Sequence, residues 1–251
     1  LRAADRPIRG RLLDLNGHPL PNVTVLVETL QQPDIPLLLK AFKETSKDGF
    51  YAAINATGVG VGDLTRDEFR RLIPPVTTDD NGAFELAGIG DDQLVSLTLA
   101  SERVQAQVVH VLCRPMETVR IPHLPSYPNG AQEVYAGRDF TYVVGPSVPV
   151  EGLVTDFDTG EPVARTSVLV ERLFSEGGGA NEGQLRLDTR HMRTMTDADG
   201  RFRITGMPPG IGHVLEAKPP KSEPYLMASQ NVTLSIDDGD AKEINIRVKK
   251  G

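Results

Sequence analysis

The sequence predicts an all-β protein built as two tandem β-sandwiches. Three observations carry that prediction: short apolar runs that alternate with polar residues, turn residues between those runs, and a framework that occurs twice. The 251 residues leave room for one or two domains. The 24 Gly and 19 Pro fall largely between the apolar runs, the arrangement expected of many short strands joined by turns.

The repeat is read first. "IRGRLLDLNGHPLPNVTVLVETL" (8–30) matches "VEGLVTDFDTGEPVARTSVLVERL" (150–173). Gly10 corresponds to Gly152, Gly17 to Gly160 and Pro19 to Pro162, and "VLVE" at 25–28 recurs at 168–171. Further on, "TTDDNGAFELAGI" (77–89) matches "TMTDADGRFRITGM" (194–207), with Gly82, Phe84, Leu86 and Gly88 answering Gly200, Phe202, Ile204 and Gly206. Four features in one order predict two copies of one domain.

The elements follow from period-two alternation. Val23, Val25 and Val27 share one face of a strand, as do Val168 and Val170 in the second copy. Phe84 and Leu86 alternate with Ala83 and Glu85, and Phe202 and Ile204 alternate with Arg201 and Arg203. "LVSLTLA" (94–100), "VQAQVVHVL" (104–112), "NVTLSI" (231–236) and "INIRV" (244–248) add further strands. The predicted boundaries are 1–125 for the first sandwich, 126–145 for a Pro/Gly-rich linker leading into an extended strand, and 146–251 for the second. Whether "RDFTYVVG" (138–145) pairs with the first copy or the second is open at this stage.

The copies differ in one place. Glu28 to Gly82 spans 54 residues and Glu171 to Gly200 spans 29, so the first copy carries 25 extra. This insertion, within 31–76, holds "DLTRDEFRRLIPP", with Thr65 and Glu68 in capping-box register and Phe69 and Leu72 three apart. A short helix ended by Pro74 is expected. "IPLLLKAFKETSKDG" (35–49) reads as helical or extended, with burial against the sandwich expected for its apolar part. "GVGVGDL" (58–64) lacks the Lys-Ser/Thr of a phosphate loop, and "SEGGGANEGQ" (175–184) is polar; both read as flexible loops.

Composition restricts function. Net charge is −7, which argues against nucleic-acid binding through a basic face. No apolar run is long enough to cross a membrane. Cys113, the lone cysteine, permits no intrachain disulfide and reads as a buried strand thiol. The chain opens on Leu1 rather than Met, which reads as a processed or a trimmed chain; removal of a leader or anchor is left open, and its absence here says nothing about location.

The carboxylates Asp197 and Asp199 of "TDADG" raise the question of a calcium loop. With Gly200 at loop position 6, position 1 is Met195 and position 12 is Gly206; with Gly82 there, the ends are Thr77 and Gly88. Neither end supplies the ligands that a calcium-binding helix–loop–helix requires. Asp, Asn and Gly at these positions suit a hairpin turn, where Asp bonds its own backbone and Gly supplies positive φ. A hairpin tip in water also lacks the cleft that would separate two carboxyl pKa values for acid–base work.

"GxxxDxxGxPxxxxxVxV … TDxDGxFxxxGxxPG" resembles the carboxypeptidase regulatory-like domain, a prealbumin-like sandwich of the transthyretin/CnaB type. "GLVTDFDTGEPVARTSVLV" (152–170) and "TDADGRFRITGMPPG" (196–210) carry the resemblance closely. The first copy carries it through "GRLLDLNGHPLPNVTVLV" (10–27) and "TTDDNGAFELAGI" (77–89), and departs at 31–76 and at "GIGDDQ", which replaces Pro-Pro-Gly. The resemblance implies two seven-stranded, Ig-like/prealbumin-like sandwiches in a bacterial secreted, periplasmic or cell-surface protein, serving as spacer, stability or binding modules. Some CnaB-type relatives form Lys–Asn isopeptide bonds; Asn245 stands in the last strand, yet neither "IRGRLLDL" nor "VEGLVTDF" holds a Lys, so no such bond is expected.

No catalytic, cofactor-binding or metal residue is assigned. G-x-S-x-G and H-E-x-x-H are absent, and His18, His110, His123, His191 and His213 are scattered. Intradiol dioxygenases resemble this sandwich in outline but hold iron through H-x-H with two Tyr, and no H-x-H occurs here. His18, His123 and His213 meeting at one sandwich end is left open. The expected function is a noncatalytic module acting as spacer or protein-interaction element. The alternatives are a carbohydrate-binding module using Tyr51, Tyr127, Tyr135, Tyr142 or Tyr225, and an accessory domain of a peptidase or transporter. The partner, a protein or a glycan, is unidentified. A monomer is the default expectation, with homodimers by sheet extension left open. The sequons at Asn22, Asn55 and Asn231 read as coincidence.

Overall fold

The computed structural model describes residues 6–44, 71–120, 134–174, 184–185, 192–237 and 240–251. The described chain divides into two compact units. The first holds the described residues up to 100 together with 107–120 and 134–144; the second holds 101–106 and the described residues from 145 onward. The protein is mostly β, with one short complete helix among the described residues.

In the first unit, β1 (Ile8–Leu13), β4 (Ala83–Leu86) and β9 (Asp139–Val143) form one sheet in the order β4-β1-β9. β1 is antiparallel to β4 and parallel to β9. The extended stretch left open from the sequence therefore pairs with the first copy. The second sheet runs β3-β2-β5-β6-β8-β7. Its strands are β2 (Thr24–Gln31), β3 (Val76–Thr77), β5 (Leu94–Ala100), β6 (Gln107–Leu112), β7 (Val119–Arg120) and β8 (Val134–Ala136). Described residues 134–143 of the stretch expected as linker thus supply two strands, β8 and β9.

The second unit repeats the pairings. β10 (Val150–Asp156) is antiparallel to β14 (Arg201–Ile204) and parallel to β17 (Lys242–Glu243) and β18 (Ile246–Val248). The other sheet is β12-β11-β15-β16, with β13 also on β11. Its strands are β11 (Ser167–Phe174), β12 (Gln184–Leu185), β13 (Arg193–Met195), β15 (Gly210–Lys218) and β16 (Ala228–Leu234). β2 lies between β3 and β5 as β11 lies between β13 and β15, all antiparallel.

Alternation places the cores as the sequence implies. Ile8, Leu12, Phe84 and Leu86 are buried, while Arg9, Arg11 and Glu85 face out. In the second unit Val150, Val154, Phe202, Ile204 and Ile246 of one sheet join Val168, Val170, Leu215, Ala217 and Val232 of the other in a single cluster. The "VLVE" pair has a structural cause: the register shifts between Val27 and Thr29 and between Val170 and Arg172, so Glu28 and Glu171 are the extra residues of matching β-bulges. Gly152 is fixed by close approach, because a Cβ there would lie 1.6 Å from the Ile244 carbonyl oxygen.

"IPLLLKA" is helical: α1 spans Ile35–Ala41, with Asp34 as N-cap accepting the Leu37 N–H at 3.0 Å. Leu38 and Ala41 are buried against Leu94, Leu112 and Tyr135, which places α1 on the outer face of the larger sheet. Of the helix expected at 65–72, Arg71 and Leu72 are helical. Thr65, Glu68 and Phe69 lie outside the described residues, as do 58–64 and 175–183.

Candidate functional site

The two Asp-Gly turns have one geometry. Asp197 Oδ1 accepts the N–H groups of Asp199 at 3.0 Å and Arg201 at 2.8 Å, and Asp197 N–H bonds the Arg201 carbonyl at 2.9 Å. Asp79 Oδ1 accepts Asn81 N–H at 2.9 Å and Ala83 N–H at 2.8 Å, and Asp79 N–H bonds the Ala83 carbonyl at 2.9 Å. Gly200 and Gly82 stand at φ 72 and 71. One oxygen of each carboxylate is thus engaged by the backbone of its own turn. Among the described residues no three His, Cys, Asp or Glu side chains converge to hold a metal.

The turns after β1 and β10 also match. Asp14 Oδ1 accepts Asn16 and His18 N–H, both at 2.8 Å; Asp156 Oδ1 accepts Asp158 N–H at 2.8 Å and Thr159 N–H at 2.9 Å. Beside each Asp-Gly turn a buried Thr ties two segments together. Thr78 donates to the Leu20 carbonyl at 2.6 Å and accepts Val23 N–H at 2.9 Å; Thr196 donates to the Val163 carbonyl at 2.8 Å and accepts Thr166 N–H at 2.9 Å. Thr196 is the Thr of T-D-x-D-G and Thr78 its counterpart in the first copy; each immediately precedes the turn aspartate, and the tie it makes lies with a segment outside that turn.

Asp156 also gathers chemistry that Asp14 does not. Its Oδ2 accepts Tyr225 O–H at 2.9 Å and lies 3.2 Å from Lys250 Nζ, in a carboxylate that is 2% exposed. Hydrogen bonding, led by the Thr159 N–H and joined by Tyr225, Asp158 and Lys250, holds this carboxyl far below the usual range. The same bond raises the Tyr225 phenol and the Lys250 ammonium. The ion pair pins residues 224–226 to 249–251, where Leu226 N–H reaches the Lys249 carbonyl and Gly251 N–H the Pro224 carbonyl, each at 2.8 Å. Asn245 is occupied differently: its Oδ1 accepts Leu153 N–H at 3.1 Å where the ladder between β10 and the β17–β18 segment is interrupted.

The histidines perform separate tasks. His18 lies 3.2 Å from Asp14 in an exposed turn. His213 is buried; Phe174 N–H donates to Nδ1 at 2.9 Å, which leaves Nε2–H to donate to the Pro208 carbonyl at 3.0 Å. Burial lowers its pKa and keeps the ring neutral. His123 and His191 lie outside the described residues. His110 Nδ1 meets Ser96 Oγ at 3.0 Å, and Thr29 donates to Ser96 Oγ at 2.8 Å. This Ser–His contact sits in mid-sheet: Ser96 is flanked by β2 and β6, so the surrounding amides belong to the ladder rather than to an oxyanion hole.

The tyrosine platform considered from the sequence does not form from its described members. Tyr135 is 5% exposed and stacks on His110 with centroids 4.8 Å apart. Tyr142 is buried, which also raises its pKa. Tyr225 is engaged with Asp156 and Lys250. Alternation turned Tyr135 and Tyr142 inward. Tyr51 and Tyr127 lie outside the described residues. Cys113 is buried, and desolvation pushes its thiol up to about 12. Its carbonyl accepts Arg138 at 2.9 Å; that buried guanidinium also binds Asp91 at 2.7 Å, the Gly90 carbonyl at 3.2 Å and the Arg6 carbonyl.

Among the described residues, two of the clefts in the second unit, of about 410 and 490 Å³, meet at Arg203. Arg203 bridges Glu151 at 2.6 Å and Glu102 at 3.2 Å. The cation and both carboxylates are thereby paired with one another, and no nucleophile–base pair lines either cleft.

No family model matches the chain, and no curated protein matches it. Solved structures do. The TIE protein of Bacillus anthracis aligns over 98% of this chain and 34% of its own, at 11% identity and TM-score 0.31. A streptococcal ancillary pilin aligns over 98% and 62%, at 13% and 0.28. The shaft pilin SpaA of Lactobacillus rhamnosus GG aligns over 98% of both chains, at 11% and 0.31. The chain spans about a third of the first and under two thirds of the second. Likeness at these TM-scores carries no argument. The resemblance to the carboxypeptidase regulatory-like domain rests on its motif residues alone.

Proposed function

We propose that the chain is a noncatalytic tandem β-sandwich module of a bacterial extracytoplasmic protein, acting as spacer or protein-interaction element. One observation carries the reading. The residues that sequence reasoning would nominate for chemistry are engaged in framework, and the same framework devices occur in both units: Asp79 with Asp197, Asp14 with Asp156, Thr78 with Thr196. A catalytic site needs groups left available to a substrate. The extracytoplasmic placing and the tandem boundaries follow from the motif resemblance and the internal repeat.

The test is retention of ligands by the immobilised 251-residue chain. A glycan array and a solubilised surface-protein extract are applied with calcium and again with chelator. The reading expects no glycan retained and no calcium dependence, with any retention confined to protein. Specific glycan retention overturns it, as does turnover of a bound ligand.

A further inference from the structure

The two units order their larger sheets alike up to one strand and then part. In the first unit β6 is covered by β8, with His110 opposite Tyr135 and Val111 opposite Ala136. In the second unit the corresponding strand, β16, pairs only with β15 among the described residues and ends the sheet. Its seven residues, Ala228–Leu234, include no charged side chain and no proline. Those are the usual guards of an exposed edge.

The edge presents its backbone outward. The Asn231 carbonyl accepts the Gln230 side-chain amide at 3.1 Å, so it points away from β15. The N–H and C=O of one residue in an antiparallel strand point to the same side. Ser229 and Thr233, two positions away, therefore offer donors and acceptors to a further strand, and Asn231 does so once the Gln230 amide swings off its carbonyl. Large apolar residues flank this edge at both ends: Leu226 is 58% exposed, Met227 65% and Ile236 65%.

We propose that β16 pairs antiparallel with β16 of a second copy of this chain, joining two larger sheets across a two-fold axis. The register follows from symmetry. Val232 and Leu234 are buried while Ser229, Asn231 and Thr233 are exposed, so the core faces coincide only if residues of like parity stand opposite. Overlap is greatest with Asn231 at the centre. Asn231 then faces the partner's Asn231, and Ser229 faces the partner's Thr233. Leu226 meets the partner's Ile236, which removes exposed apolar surface at both ends. No like charges oppose each other. The pairing is isologous and closes at two copies.

The proposal rests on the interaction-element reading and is tested separately from it by sedimentation equilibrium of the whole chain, from low micromolar to near-millimolar concentration. A dimer is expected. Ser229→Lys with Thr233→Lys sets like charges opposite each other and weakens the dimer at least about tenfold. Ser229→Lys with Thr233→Glu sets opposite charges there and restores it. Both positions of the test lie on the exposed face, and circular dichroism checks that the fold is kept. A wild-type monomer throughout overturns the proposal while leaving the noncatalytic reading standing. A dimer that both double variants weaken equally, or that neither weakens, overturns it as well.

Discussion

Replacing Thr196 by Val removes one oxygen and little volume. The hydroxyl donates to the Val163 carbonyl at 2.8 Å and accepts Thr166 N–H at 2.9 Å, while Thr196 and Thr166 are 4% and 0% exposed. Water therefore has little access to replace either bond. A buried polar group left without a partner costs about 1–3 kcal/mol. Two such groups, with some relaxation, give about 2–4 kcal/mol for Thr196→Val. Thr196→Ser keeps both bonds and loses one methyl, about 1 kcal/mol. Denaturant unfolding followed by far-ultraviolet circular dichroism reads the difference as a lower midpoint at unchanged slope. Thr78→Val should behave alike, since its hydroxyl makes the matching bonds to Leu20 and Val23. If Thr196→Val stays within about 0.5 kcal/mol of wild type, the hydroxyl is not the tie described here.

The Asp156 carboxyl is lowered in the fold, so the unfolded chain takes up its proton first as pH falls. Its stabilisation is present above about pH 4, the unfolded carboxyl value, and is lost as pH drops toward the folded value; Asp156→Asn should be less stable at neutral pH and flatten the acid limb of the stability–pH curve. Gly152→Ala drives a methyl into the Ile244 carbonyl and should destabilise by more than about 3 kcal/mol. At Gly17, where φ is 82 and nothing lies within 4 Å, Ala should cost about 1 kcal/mol, read by the same unfolding curves. The Cys113 thiol, raised to about 12 by burial, should resist alkylation at mildly alkaline pH in the native protein and react on unfolding, as counted by mass spectrometry.

Much of this fold is legible in the sequence because its signals are local. Alternation at Val25 and Val27, or at Phe202 and Ile204, is enough to orient a strand. Asp-x-x-Gly spacing names a turn because Asp reaches its own backbone. The repeat also foretold Gly152, whose reason is the distant Ile244 carbonyl. Residues whose role depends on distant partners were less visible. Tyr135 and Tyr142 read as a surface because ring content says nothing of facing. Asp156 carries no local signal of its partners, because Tyr225 and Lys250 reach it from positions 69 and 94 residues along the chain. The burial of Arg138 among the Gly90, Cys113 and Arg6 carbonyls has no sequence pattern.

If Asp79 and Asp197 serve their own turns rather than a metal, calcium leaves the stability of the fold unchanged. Thermal unfolding of wild type and Asp197→Asn, each with millimolar calcium and then with chelator, tests it most directly. Asn keeps the oxygen that accepts Asp199 and Arg201 N–H but lacks the charge a cation needs. Melting temperatures that agree within about 1 °C across calcium and chelator are expected for both proteins. A rise of several degrees with calcium in wild type that disappears in Asp197→Asn would contradict this.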